Sequence, residues 1–193
     1  MKKLKYILSS VLVLGSLASC DSETIDEKLK EENLESKSIL RFVLNDKVTV
    51  VSEDINIDWG TSNSMILTAK MSVKNDEATT ADTKYKKATL IIHLSQLAMA
   101  NYPTIWDMES PSNFISSASL IMNELDEDGK PYDETYSTTN GPEGVRAGYA
   151  NITSIVEKAR TLAGDFEYTL YPPEGSIMMT QQISDGQMHY IKY

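Results

Sequence analysis

Apolar and polar side chains alternate one by one along most of the chain after residue 37, a spacing that is typical of strands with one buried face. The clearest run is 65–74, in which Met65, Leu67, Ala69, Met71 and Val73 fall on one side and Thr68, Lys70, Ser72 and Lys74 on the other. Segments with the same alternation are 40–44, 55–59, 88–94, 118–122 and 166–170. The pattern predicts antiparallel sheets that are buried on one face only.

Turn-forming sequences separate these segments and predict hairpins. Asn45-Asp46 predicts a turn before 48–51, and Asp126-Glu127-Asp128-Gly129 predicts a hairpin with 132–136 as its returning arm. Asp185-Gly186 predicts a last hairpin that joins 177–184 to 187–193. A short helical piece is expected near 97–99, before Pro103.

Residues 145–164 fit two interpretations. Apolar residues recur there at helical spacing, and Gly164 suits a helix end, yet 149–156 is rich in β-branched residues, which favour strands. Because the flanking segments are predicted hairpins, we expect a strand, a turn around Glu157-Lys158 and a returning strand. The expected fold is mainly β: an antiparallel two-sheet β-sandwich built from hairpins, with at most short helical segments, in a single domain that spans 38–193.

The beginning of the chain has the pattern of a bacterial lipoprotein signal peptide. Lys2, Lys3 and Lys5 precede an apolar run from residue 6 to 17, and Leu17-Ala18-Ser19-Cys20 forms a lipobox. Cleavage before Cys20 would remove 1–19 and leave a thiol that carries a diacylglycerol thioether and an N-acyl chain such as palmitate. The charge-dense segment 20–37 is then a lipidated acidic tether, and several acyl chains make a stable membrane anchor.

Charge and cysteine content narrow the classes of partner. Residues 1–19 hold three lysines and no acid, so the mature chain carries 15 basic against 28 acidic residues, a formal charge of −13. Such a field repels phosphate backbones and anionic headgroups, which argues against nucleic acid and against peripheral membrane binding. Cys20 is the one cysteine of the chain, so disulfides and thiolate metal sites within the chain are excluded.

The last fifty residues resemble the closing part of small β-rich lipoproteins of Bacteroidota whose function is uncharacterised. The resemblance lies in 148–155, in 162–168 and in the Asp185-Gly186 hairpin that ends on Tyr193. It implies an antiparallel β fold and an outer-membrane setting, and it implies no activity. In that group an acidic stretch after the lipidated cysteine accompanies export to the cell surface, and Asp21-Ser22-Glu23 is a partial match.

Acidic side chains near the predicted 126–129 turn are candidate calcium ligands, because hard cations take several carboxylate oxygens on a loop. These are Asp126, Asp128, Asp133 and Glu134. An EF-hand register starting at Glu124 fails, since Thr135 stands where the bidentate glutamate belongs. The alternative is an ordinary turn in which aspartate bonds to its own backbone. His93 and His189 are the two histidines, and each lies inside an alternating strand, where a solvent-facing or satisfied side chain is the alternative to a metal or haem ligand.

Aromatic residues near predicted loops are candidates for a platform that stacks sugar rings. They are Tyr102, Trp106, Tyr132 and Tyr136. The alternative is packing in the sandwich core, where aromatic residues on strand faces are common.

No nucleophile elbow, zinc-protease helix motif or phosphate-binding glycine loop occurs in the sequence, and no cofactor is expected. The sequence therefore favours a non-enzymatic binding or accessory lipoprotein of the outer membrane, displayed on the cell surface, whose partner is another envelope protein or an extracellular glycan. The second interpretation is a periplasm-facing lipoprotein that assists or inhibits a secreted enzyme, and the third is a hydrolase.

Overall fold

The computed structural model describes residues 37–74, 85–104, 114–125, 128 and 130–193, and 37–193 form one compact unit. The strands within these residues are β1 (Ile39–Leu44), β2 (Val48–Ser52), β3 (Asp54–Trp59), β4 (Met65–Lys74), β5 (Tyr85–Leu94), β6 (Asn101–Pro103), β7 (Ser116–Leu125), β8 (Pro131–Ser137), β9 (Gly148–Val156), β10 (Thr161–Leu170) and β11 (Gln181–Lys192). Single 3-10 turns lie at Thr61–Asn63 and Thr138–Asn140.

Two antiparallel sheets pack face to face, which confirms the predicted β-sandwich. The six-stranded sheet has the order β2-β1-β11-β10-β9-β6, and the five-stranded sheet has the order β3-β4-β5-β7-β8. The chain passes from the first sheet to the second between β2 and β3, where the Ser52 hydroxyl donates a 2.7 Å hydrogen bond to the Lys70 carbonyl oxygen. The antiparallel pairings of β1 with β2 and of β7 with β8 confirm two of the predicted hairpins.

The core consists of the inward-facing positions that the alternation predicts. Leu40 and Phe42 of β1 and Phe166 of β10 lie opposite Leu67 of β4 and Leu90 of β5, and all five side chains are fully buried. Complete burial of one such side chain contributes about 1.5–3 kcal/mol. With no disulfide available, this apolar layer is the main source of stability.

Residues 148–170 form a hairpin, which confirms the strand interpretation of 145–164 over the helical one. β9 and β10 pair from Thr161↔Val156 to Tyr168↔Gly148, and the connecting turn is closed by a 3.1 Å hydrogen bond from Arg160 N to Glu157 O. Val156, which a helix would have buried, is 46 % exposed.

The predicted Asp185-Gly186 hairpin is wrong, because 181–192 form the single strand β11. Three residues of β10, from Phe166 to Tyr168, oppose four of β11, from Gly186 to Ile183. The register between β1 and β11 shifts in the same way, between Arg41 and Val43. Asp185 is therefore a β-bulge with φ 50°, and a left-handed residue is compatible with a bulge as well as with a turn. Gly186 is needed for space: a Cβ there would stand 2.6 Å from the Phe166 ring.

Two further expectations are corrected near the loops. The helical piece at 97–99 is instead a series of bends, because the Tyr102 hydroxyl donates to Ala98 O and accepts from Ala98 N, both at 2.8 Å, and closes the loop on itself. The last strand begins at Gln181 and not at residue 177, so the segment 172–180 is an irregular connection between β10 and β11.

Replacement of Gly186 by alanine tests the close packing of β11 on β10. The added Cβ would meet Phe166 O at 2.3 Å, so we expect Gly186→Ala to lower the free energy of unfolding by about 3 kcal/mol in urea denaturation. Gly144→Ala is the control: it meets no atom within 4 Å, and its positive φ of 75° alone should cost about 1 kcal/mol. Equal losses in the two variants would contradict the packing.

Candidate functional site

A cleft of about 420 Å³ opens between the two sheets at one end of the sandwich. Its walls are the β1–β2 turn, the last residues of β4, the first residues of β5, the last residues of β7, Tyr136 of β8, and the connection 172–180. This volume lies within the range of ligand-binding pockets, about 300–1,000 Å³. The cleft is therefore the candidate functional site.

The β1–β2 turn is a fixed wall of the cleft. Asn45 N donates to Gln182 O at 2.8 Å, Gln182 N donates to Asn45 Oδ1 at 2.8 Å, and Asn45 Nδ2 donates to Gln181 Oε1 at 2.7 Å. Asn45 and Asp46 have φ values of 54° and 55°, a conformation that these two residue types tolerate. Because these bonds hold the turn against β11, this wall is preformed.

The opposite rim exposes large apolar side chains. Ile177 is 95 % exposed and Met179 is 83 % exposed, whereas Met178 packs against the core. Local hydrogen bonds shape the connection: Met178 N donates to Ser176 Oγ at 3.2 Å, and Gln181 Nε2 donates to Met179 O at 3.0 Å. Exposed methionine is adaptable and polarizable, a property that suits contact with an apolar ligand.

An ion pair lies on the five-stranded sheet side of the cleft. Lys86 Nζ of β5 donates to Glu124 Oε2 of β7, and the side chains are 27 % and 9 % exposed. Glu124 is the one carboxylate among the described residues that is buried. Removing water from a carboxylate is costly, so Glu124 depends on Lys86 for compensation.

Tyr136 contributes a buried phenol whose oxygen has no hydrogen-bond partner of acceptable geometry among the described residues. Burial raises its pKa to about 12, the carboxylates of Glu124 and Glu134 add to the rise, and the neighbouring Gln181 amide offsets only part of it. That amide already bonds to Asn45 and to the Met179 carbonyl oxygen. At neutral pH, Tyr136 is therefore an unused hydrogen-bond donor beside the cleft.

These groups were not predicted from the sequence, although a signal for them exists. On β7, every second residue from Ala118 to Met122 faces inward, and Glu124 is the next in this series. On β5, Lys86 stands two residues before the inward-facing Ala88. Charged residues at inward-facing strand positions are rare unless they are paired or functional. Extending the alternation past the apolar residues would have found both.

The predicted aromatic platform is wrong for two of its four members. Tyr102 and Tyr136 are fully buried, so neither presents a ring face to solvent. Tyr102 packs edge-on against Phe114, with ring centroids 5.4 Å apart, as the core alternative would have it. Tyr132 is 37 % exposed, and Trp106 lies outside the described residues. No platform formed by these four side chains is supported.

The acidic candidates lie on the β7–β8 hairpin. Asp133 accepts a 3.1 Å hydrogen bond from Asn123 Nδ2, Asp128 is exposed 3.9 Å from Lys130 Nζ, and Glu134 is half-buried near Tyr136. Asp126 lies outside the described residues. Across the part of the chain that the structure describes, no three metal-ligating side chains form a group.

The two histidines lie far apart on opposite outer surfaces. His93 points away from the core of the five-stranded sheet between buried Ile92 and Leu94, and His189 is exposed on the six-stranded sheet next to buried Met188. Because the sheets pack through their inner faces, these imidazoles cannot share one metal or haem.

Cys20 lies outside the described residues, so its predicted lipidation stays a prediction. Among the helices of the described part, none has the length and apolar character of a membrane span. Comparison with protein-family models, with curated proteins and with solved structures gives no match.

Removal of the Tyr136 hydroxyl tests whether that group is unpartnered. Tyr136→Phe should leave the free energy of unfolding within about 0.5 kcal/mol of the wild type or raise it, because no hydrogen bond is lost. Tyr102→Phe is the matched control, because Tyr102 is also fully buried but its hydroxyl makes two hydrogen bonds to Ala98. This substitution should lower the free energy of unfolding by about 1–3 kcal/mol in urea denaturation. An equally large loss for Tyr136→Phe would show that its hydroxyl is bonded.

Separation of the ion pair tests its role in the cleft wall. Lys86→Met should lower the free energy of unfolding by about 2 kcal/mol, because Glu124 is left buried without its partner. The double variant Lys86→Met with Glu124→Leu should regain more than half of this loss, since it removes the buried charge as well. If the double variant is the less stable of the two, the pair is a net source of stability and this interpretation is wrong.

Proposed function

We propose that the chain is a lipoprotein anchored through Cys20 in the outer membrane and displayed on the cell surface, where its β-sandwich acts as a non-enzymatic binding module. Its ligand site is the terminal cleft, and its partner is an extracellular ligand or another envelope protein. The observation that carries the proposal is the position of this cleft relative to the place where the chain enters the domain.

The chain enters at one end of β11, and the cleft lies at the other. Ser38 Oγ donates to Tyr190 O at 2.9 Å and accepts from Lys192 N at 3.2 Å, which ties the entry to the last residues of β11. The cleft contacts Gln181, the first residue of β11. At about 3.3 Å per residue these points are about 30 Å apart. A lipid anchor that precedes residue 37 would thus leave the cleft open to partners.

The cleft favours binding over hydrolysis. Most glycosidases place two carboxylates across the scissile bond, one of them unpaired so that it can act as a base or nucleophile. The residues that line the cleft include one carboxylate, Glu124, and Lys86 already neutralises it. The apolar rim and the unused phenol instead offer contacts to a bound molecule.

Acylation of Cys20 is the first test. In cells fed an alkynyl palmitate analogue, the wild-type protein should be labelled and should begin at Cys20 by mass spectrometry, whereas Cys20→Ser should remain unlabelled and retain residues 1–19. Ser22→Ala is the control that should change neither result. A wild-type protein that keeps its first nineteen residues, or carries no fatty acid, would contradict the proposal.

Display is tested separately on intact cells. Added protease should degrade the surface domain without permeabilisation, while a known internal protein stays intact. Protection of the domain until the outer membrane is opened would favour the periplasm-facing alternative, in which the protein assists or inhibits a secreted enzyme.

A further inference from the structure

The chemistry of the cleft points to one class of ligand. We propose that it binds a single-chain amphipathic anion, a molecule with a carboxylate head and a short acyl tail. This inference deepens the function proposed above and depends on the cleft being the binding site.

The first support is charge. The whole chain has 28 acidic against 18 basic residues, yet the cleft lining includes Lys47, Lys74 and Lys86 and one acid, Glu124. Glu124 already neutralises Lys86, whereas Lys47 forms no ion pair among the described residues, so the cleft lining offers a cationic side chain to an anion. A lysine that no acid neutralises favours an anion over the cationic ligands that the rest of this acidic surface attracts.

The second support is the buried phenol. Tyr136 is fully buried beside the cleft with its hydroxyl unpartnered, and native proteins rarely leave such a group without an acceptor. Its raised pKa keeps the proton in place, so Tyr136 can donate and cannot accept as a phenolate. A carboxylate oxygen is an acceptor that this donor and Lys47 could share.

The third support is the apolar rim. Ile177 and Met179 project from the connection 172–180, and Leu44 and Val48 line the wall across from them. An acyl tail between these side chains would cover apolar surface that water now contacts, at about 25 cal/mol per Å². The volume of about 420 Å³ lies near the lower limit for ligand pockets, which suits a single short chain better than a two-chain lipid.

Photolabelling tests this in the native setting. Envelopes that carry the full-length lipoprotein are irradiated with a photoactivatable analogue of decanoate, and labelled peptides are mapped by mass spectrometry. We expect label in 44–48 and 172–181. Unlabelled decanoate should compete about tenfold better than its methyl ester, because the ester lacks the charge that strengthens its hydrogen bonds.

Variants assign the head and the tail. Tyr136→Phe and Lys47→Ala should each weaken competition by decanoate about fivefold, and Lys158→Ala, at the far end of the domain, should not. Met179→Ser should weaken it as well, whereas Val156→Ser, an exposed apolar residue at the far end, should not. Unfolding in urea checks that each variant is folded.

Several results would overturn the inference. One is photolabel that falls outside 44–48 and 172–181. Another is competition by the methyl ester or by decylamine that equals that of decanoate, or stronger competition by a two-chain anionic lipid or an acidic peptide. The last is unchanged binding of decanoate by both Tyr136→Phe and Lys47→Ala. Acylation of Cys20 is measured separately, with the alkynyl palmitate analogue, so the two proposals can fail independently. An acylated protein with an unlabelled cleft refutes the ligand class alone, whereas an unacylated protein refutes the anchored function whatever the cleft binds.

Discussion

The close packing of Phe166 on Gly186 is the contact on which the arrangement of the domain depends. A side chain at residue 186 would collide with both the ring and the carbonyl oxygen of Phe166, so glycine allows β10 and β11 to pair through the centre of the sheet. Phe166 in turn meets Phe42 of β1, with ring centroids 6.2 Å apart. Through this contact the three central strands share one apolar layer, and β11 runs unbroken through its bulge at Asp185.

An unbroken β11 determines where the two ends of the domain lie. Its first residue, Gln181, holds the β1–β2 turn and the connection 172–180, and so forms the cleft. Its last residues bind Ser38, where the chain enters. If 185–186 were a hairpin turn, both of these sets of contacts would fall near the same end. The separation of entry and cleft is thus a consequence of backbone pairing in the middle of the sheet.

The cleft begins where the inward-facing positions change from apolar to polar. Along β7 the inward series passes from Leu120 and Met122 to Glu124, and along β5 it passes from Leu90 and Ala88 to Lys86. Buried polar groups reduce stability unless they are paired, and Tyr136 is not paired. Tyr136 and Tyr168 are the two buried phenols without a hydrogen-bond partner among the described residues, and Tyr136 is the one that lines the cleft.

The fold could be predicted from the sequence because strand alternation depends on local burial alone. Met65 to Val73 and the 149–156 segment were assigned correctly on that basis. The pairing of distant strands is not encoded locally. Asp185-Gly186 has the residues of a hairpin turn, but β11 pairs with β1 and β10 on both sides of it, which makes it a bulge. Ile177 and Met179 are apolar and directly precede β11, so the local pattern assigns them to that strand, although β11 begins at Gln181. The cleft could not be predicted because its lining comes from parts of the chain that are far apart in sequence: the β1–β2 turn, ends of β4, β5 and β7, Tyr136 of β8 and 177–181.

Amide hydrogen exchange along β11 in the intact lipoprotein tests the central claim most directly. A continuous central strand predicts strong protection at Ile183 and at Met188, on both sides of the bulge, close to the free energy of global unfolding, and rapid exchange at 177–180. Rapid exchange centred on 184–187, with protection extending back to residue 177, would indicate a terminal hairpin and would contradict the separation of the cleft from the entry of the chain.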